Sequence, residues 1–264
     1  MMWSDVPLWM SVLVVAAAVA VVGGAAVVVH VALRRSDGSL GEPASLSGPT
    51  AALLGGWLLV VGALAGAGVF RARTEGFPVI VLGVLVPIVI GWALFKLSPT
   101  VRRLADALPA PWAIAVQTPR IFGFTFLVLM AQHKLPGVFA NRAGWGDIFI
   151  GAVAPLVAYG LASGKAWGRG AAIAFNVAGL ADLVVAIGTG VLSAPGPFRQ
   201  IFVTPSTEIM TLLPMVLVPV FLVPFFILVH FFSLRQLLHG AVNPARAPLT
   251  PGRAGHHLAQ AGPG

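Results

Sequence analysis

The stretch PLWMSVLVVAAAVAVVGGAAVVVHVAL, residues 7–33, contains no Asp, Glu, Lys or Arg. A helix rises about 1.5 Å per residue and the hydrocarbon core of a bilayer is roughly 30 Å thick, so about 20 such residues cross it. Six further runs of similar character follow at 50–70, 77–97, 111–133, 145–163, 167–192 and 209–234. Backbone amides left unpaired in lipid are too costly to tolerate, so runs this long must be helical. The expected fold is all-α: a polytopic membrane protein, its seven transmembrane helices filling residues 1–238. Charged residues make up only 9% of the chain and hydrophobic ones 58%, where a soluble domain carries roughly 25% charge. No room is left for a separate soluble domain.

The net charge of +8 does not point to nucleic acid, because the cations stand singly or in pairs at the ends of the runs, as topology signals do. With the N-terminus outside, ten of them fall on the cytoplasmic side (Arg34, Arg35, Lys96, Arg102, Arg103, Lys165, Arg169, Arg235, Arg246 and Arg253) and five outside (Arg71, Arg73, Lys134, Arg142 and Arg199). That asymmetry predicts N-out, C-in. The first run lacks a basic leader and is too long for a cleavable signal, so it reads as a retained helix. Arg outnumbers Lys and Ala, Gly and Val abound, a bias common in GC-rich bacterial genomes. The expected location is a bacterial inner membrane. With no cysteine, disulfides and thiolate metal sites are excluded.

Between the runs, residues 34–48 read as a flexible cytoplasmic loop and 239–264 as a disordered cytoplasmic tail. Ser98-Pro99 is a helix start, with Val101, Leu104 and Leu108 on one face, so a short amphipathic surface helix is expected at 99–108. Trp9, Trp112, Trp145 and Trp167 fall near run ends, where indoles sit at headgroup level. Gly62 and Gly66 in the second run have the spacing that lets helices approach closely, which makes the first two helices a candidate docking face for another membrane protein. In the last run Pro214, Pro219 and Pro224 each remove a backbone hydrogen bond; a bent helix and a hinge with exposed carbonyls are both consistent with that.

Ionisable groups at bilayer depth are expensive and usually paired. Arg120 in the fourth run and Asp182 in the sixth both lie near the midplane. Gln117 is one turn from Arg120, and Asn176 lies towards the cytoplasmic end of the sixth run. The simplest arrangement is an Arg120–Asp182 pair flanked by two amides. His133, Asp147 and Glu208 fall at run ends and are expected to form an outer vestibule; acidic residues in a first helical turn are also explained by the helix dipole alone. The first three runs carry almost no inward polar group.

The runs contain neither His-Glu-x-x-His nor paired Asp motifs, which excludes the familiar intramembrane proteases. The last run has no lysine for a Schiff base. His30 and His230 both fall near the cytoplasmic end and remain a candidate haem pair. No catalytic constellation and no cofactor are expected.

Four stretches carry a resemblance: QTPRIFGF at 117–124, LPGVFA at 135–140 running into GWGD at 144–147, NVAGLADL at 176–183, and LVHFFSLRQ at 228–236. Together they resemble a group of uncharacterised bacterial multi-pass membrane proteins over about residues 111–238. The resemblance implies no activity, but it falls on the same polar positions. The leading expectation is a protein of unknown activity that binds or moves a small solute or proton between helices four to seven. A haem- or quinone-binding protein or enzyme using His30, His133 or His230, and an assembly partner of another membrane protein, are the alternatives.

Overall fold

The computed structural model describes residues 5–35 and 43–239. The disordered-tail expectation at 240–264 lies outside them, as does the middle of the loop expected at 34–48. Seven helices in the described residues are long and apolar enough to cross a membrane. Their order is α1 (Leu8–Arg35), α2 (Pro43–Gly66), α3 (Val79–Leu97), a surface helix α4 (Pro99–Ala107), then a fourth span in pieces. The pieces are α5 (Ala110–Ala115), a 3-10 turn (Thr118–Gly123) and α6 (Phe124–Ala131). The chain continues with α7 (Gly137–Ala162), α8 (Gly168–Ser193) and, after a π turn (Val218–Leu222), α9 (Val223–Leu238). Alternating direction puts the start of α1 and the start of α9's span at one end of the bundle, here the N-terminal end.

These helices are apolar on all sides. In α1, Met10, Val14, Ala18 and Val21 are buried, while Leu8, Val12 and Val19 on the other faces are exposed. Leu59 of α2 and Val184 of α8 are 76% and 65% exposed. A helix hydrophobic all round belongs in a large core or a membrane. The protein core lies instead among α6–α9: α7 packs along α8 and against the 3-10 turn, α8 against α9, and α3 against α9. The α1–α2 pair sits to one side and meets the rest largely at the π turn. Gly62 and Gly66 face open space, so their small size serves no close approach among the described residues.

The fourth span is not one continuous helix. Pro119 has no N–H and its ring disfavours the regular bond pattern, and the chain tightens so that Arg120 N–H donates to Gln117 O at 3.0 Å. The resulting turn lies directly on α7, where Gly151 makes room: a Cβ there would be 2.8 Å from Ile121 Cα. Irregular backbone at this depth is tolerated where protein covers it.

Three run boundaries differ from the sequence reading. Helix α2 begins at Pro43, so residues 43–48 are helix and not loop. Helix α7 begins at Gly137, not 145, after Pro136 as its N-cap. Asn141 and Arg142, exposed on its second turn, lower the local hydropathy enough to hide this start, and Trp145 therefore lies within the helix. The last span begins at Val218 and runs to Leu238; Pro214 and Pro219 keep 209–217 out of the helix, and a single 3-10 turn (Glu208–Thr211) stands there. Helix α4 forms as the Ser98-Pro99 signal predicts, with Ser98 Oγ accepting from Val101 N–H at 3.3 Å. It is tied to the end of α9 by the Arg235–Asp106 ion pair and by Gln236 Nε2 donating to Leu108 O at 2.9 Å.

Candidate functional site

Arg120 projects from the 3-10 turn into the space between α7, α8 and α9, and is 3% exposed. Its Nε donates to Asp147 Oδ1 of α7 at 2.7 Å. Its Nη2 donates to Asp182 Oδ2 of α8. Nη1 faces the Gly179 carbonyl at 3.5 Å and His230 Nε2 of α9 at 3.1 Å. One guanidinium thus joins every element around it.

The donors and acceptors fix the histidine. Arginine only donates, so His230 Nε2 must present its lone pair and the ring proton must sit on Nδ1. From there it donates to Asn176 Oδ1, at 2.9 Å. The Asn176 amide then donates to Ala172 O at 2.8 Å and to Ser233 Oγ at 3.1 Å. A continuous chain of polar groups therefore runs from Arg120 through His230 and Asn176 to Ser233, towards the C-terminal end of α9. Two glycines admit it. A Cβ at Gly179 would collide with the His230 ring, and one at Gly146 with the Asp182 carboxylate.

Two apolar cavities flank the cluster. The first, about 80 Å³, runs between α7, α8 and the last span towards the N-terminal end. The second, about 70 Å³, lies between α1 and the 3-10 turn and reaches Arg120. Asp147 borders both.

Four of the seven sequence candidates are brought into one network: Arg120, Asp147, Asp182 and Asn176. Asp147 is not in a first helical turn; with α7 starting at Gly137 it stands at mid-span, and its Oδ1 accepts from Arg120. Gln117 is fully buried beside the network, where its Nε2 donates to Phe226 O at 3.3 Å and its Oε1 has no partner among the described residues. His133 is exposed on the turn before α7, with φ 55°, and Glu208 is half-buried on the 3-10 turn before the last span. Neither joins the cluster, and the cavity walls include Asp147 but not Gln117, Asn176 or Asp182. His230 is the group that sequence reading misplaced. A run ending at 234 puts it near an end, whereas in the span Val218–Leu238 it lies at middle depth. Both its ring nitrogens are engaged, so an axial bond to haem would have to break this network, and His30 near the C-terminal end of α1 is not at its depth.

Residues 77–238 match the family described as a domain of unknown function (DUF8737). The chain belongs to this family. The matched segment opens just ahead of α3 and closes at the end of α9, so the DUF8737 region holds the whole Arg120 cluster while α1 and α2 precede it. It includes the whole region, from about residue 111, whose motifs carry the resemblance to an uncharacterised group, and begins earlier, ahead of α3. No curated protein and no solved structure matches the chain.

Proposed function

We propose that this DUF8737 protein is an integral protein of a bacterial inner membrane, N-out and C-in, that binds a proton at the Arg120–Asp147–Asp182 cluster and moves it, alone or with a small solute. The observation that carries this reading is a charge count at middle depth: one guanidinium faces two carboxyl groups, and the histidine beside them is held as a neutral acceptor. With both carboxyls ionised the cluster has one negative charge too many. An uncompensated charge in this setting costs several kcal/mol, and one proton removes it.

A purely structural clamp is less well supported. One carboxylate would satisfy a clamping arginine, and the second adds a cost that stability does not require. The chain His230–Asn176–Ser233 further supplies polar groups between the cluster and one end of the bundle, while the first cavity approaches from the other.

Infrared titration of the protein in lipid nanodiscs tests the reading. A protonated-carboxyl C=O band is expected to titrate in the wild type and to be lost in Asp147→Asn or Asp182→Asn. Identical spectra for the wild type and both variants, from acidic to alkaline pH, would overturn it.

A further inference from the structure

We propose that the cavity beside Asp147 is a binding site for a small alkylammonium ion, which takes the place of the proton at the cluster. This rests on the proton-binding reading and names the solute class.

The shape comes first. On α8 the cavity follows Leu183, Ile187 and Gly190 and reaches Ala194 just past the helix end, and on α7 it follows Phe139, Ala143 and Asp147. Those spacings of three and four keep to one face of each helix, and from 183 to its end at 193 α8 rises about 15 Å. The cavity is thus a narrow shaft from the N-terminal end to the cluster.

The chemistry of its wall is nearly all hydrocarbon. Thr207 and Thr211 border the shaft near its outer end, but their hydroxyls already donate to Gly190 O at 2.6 Å and Glu208 O at 2.7 Å. The unspent polar atom is at the deep end. Asp147 Oδ1 accepts from Arg120, and its Oδ2 accepts no hydrogen bond from a described residue. The charged and titratable groups around that carboxylate are Arg120 from the 3-10 turn and Asp182 from α8. His230 of α9 is reached through Arg120, and α6 contributes none.

Three constraints then select the ligand. The excess negative charge repels anions and favours a monovalent cation. A bare metal ion needs a shell of several oxygens, which hydrocarbon walls do not provide, whereas an ammonium head can use one carboxylate while its alkyl part replaces nothing polar. The volume sets the size: an apolar cavity of roughly 150 Å³ admits benzene, so about 80 Å³ takes an alkyl group of about three carbons. Methyl- to propylammonium fits; a quaternary ion with long chains does not.

The test uses the full chain in nanodiscs, with ethylammonium, tetrabutylammonium and potassium chlorides as probes, read by calorimetry and by the carboxyl infrared band. Ethylammonium is expected to bind saturably, to abolish the protonated-carboxyl band, and to lose affinity by about tenfold per pH unit on the acidic side, as one-for-one competition requires. Asp147→Asn should abolish binding, and Ala186→Leu, which narrows the shaft without touching a charge, should weaken it at least tenfold. The size series on the wild type decides the matter even where a variant does not fold. Equal effects of potassium or tetrabutylammonium, or no ethylammonium binding while the carboxyl band titrates normally, would overturn the inference and leave the proton reading standing. Absence of any titrating carboxyl band would bring down both.

Discussion

Removing Arg120 and removing Asp182 should have very different consequences, although the two residues form an ion pair. Arg120→Leu deletes the donors to both carboxylates and to His230, and leaves two half-buried acids facing one another. Breaking a buried pair from one side costs about 3–5 kcal/mol, and here two partners lose their counter-charge, so the upper part of that range is expected. Asp182→Asn keeps a side-chain oxygen for Nη2 and leaves Arg120 balanced by Asp147. It exchanges a charged acceptor for a neutral one, a loss of about 1 kcal/mol, and removes the excess negative charge at the same time, so the net change should be near zero. The triple substitution Arg120→Leu, Asp147→Asn, Asp182→Asn should recover most of what Arg120→Leu loses. Arg235→Leu is the control: its pair with Asp106 is 26% and 37% exposed at the two side chains, and such pairs contribute about 0–1 kcal/mol. Equilibrium unfolding in mixed micelles, followed by tryptophan fluorescence, gives the four values. A cost for Asp182→Asn equal to that of Arg120→Leu would refute the charge count, because it would mean that Asp147 does not neutralise the guanidinium.

Two further outcomes follow from the geometry. Gly179→Ala places a methyl group where the His230 ring stands, so the ring must move and the hydrogen bond between Arg120 and His230 must break; a loss of about 1–3 kcal/mol is expected, with a changed His230 nitrogen chemical shift, and an unchanged shift would refute the contact. For orientation, a reporter fused after Gln236 should behave as cytoplasmic and one placed at 195–203 as external, since the cation bias favours that arrangement; the reverse pattern would refute it.

What was legible in the sequence was what a single number per residue can carry. Apolar length found all seven spans, and the cost of a buried charge singled out Arg120 and Asp182. Run length failed wherever a proline or a polar pair interrupts the correspondence between hydropathy and helix. Asn141 and Arg142 concealed the first turns of α7 and so sent Asp147 to a helix start; ending the last run at 234, four residues short of the span's end at Leu238, sent His230 towards an end. The first error is a shift of eight residues, about 12 Å along a helix, and the second one of four, about 6 Å; each moves a side chain from near the end of a span towards its middle. A signal for both errors was present in the residues themselves. Pro136 cannot continue the preceding helix and so marks a boundary well before 145, and Arg235-Gln236 are a poor place to end a span when the amphipathic helix at 99–107 offers them an acid and backbone carbonyls.

The depth correction also changes what the irregular backbone is for. The 3-10 turn at Thr118–Gly123 and the π turn at Val218–Leu222 are far apart in sequence, yet Val218 and Val223 border both cavities beside Asp147, and Pro119, Arg120 and Gly123 border the second. A regular fourth helix would carry Gln117 and Arg120 along one face at fixed pitch. The tighter turn, with a rise near 2.0 Å per residue in place of 1.5 Å, moves Arg120 relative to α7, and the glycine at 151 lets its backbone come close enough for the guanidinium to lie between Asp147 and Asp182. Pro119 and Gly151 are therefore as much a part of the site as the acids are. Their effect is on where Arg120 stands, which is why neither the composition of the fourth run nor its length could have disclosed it.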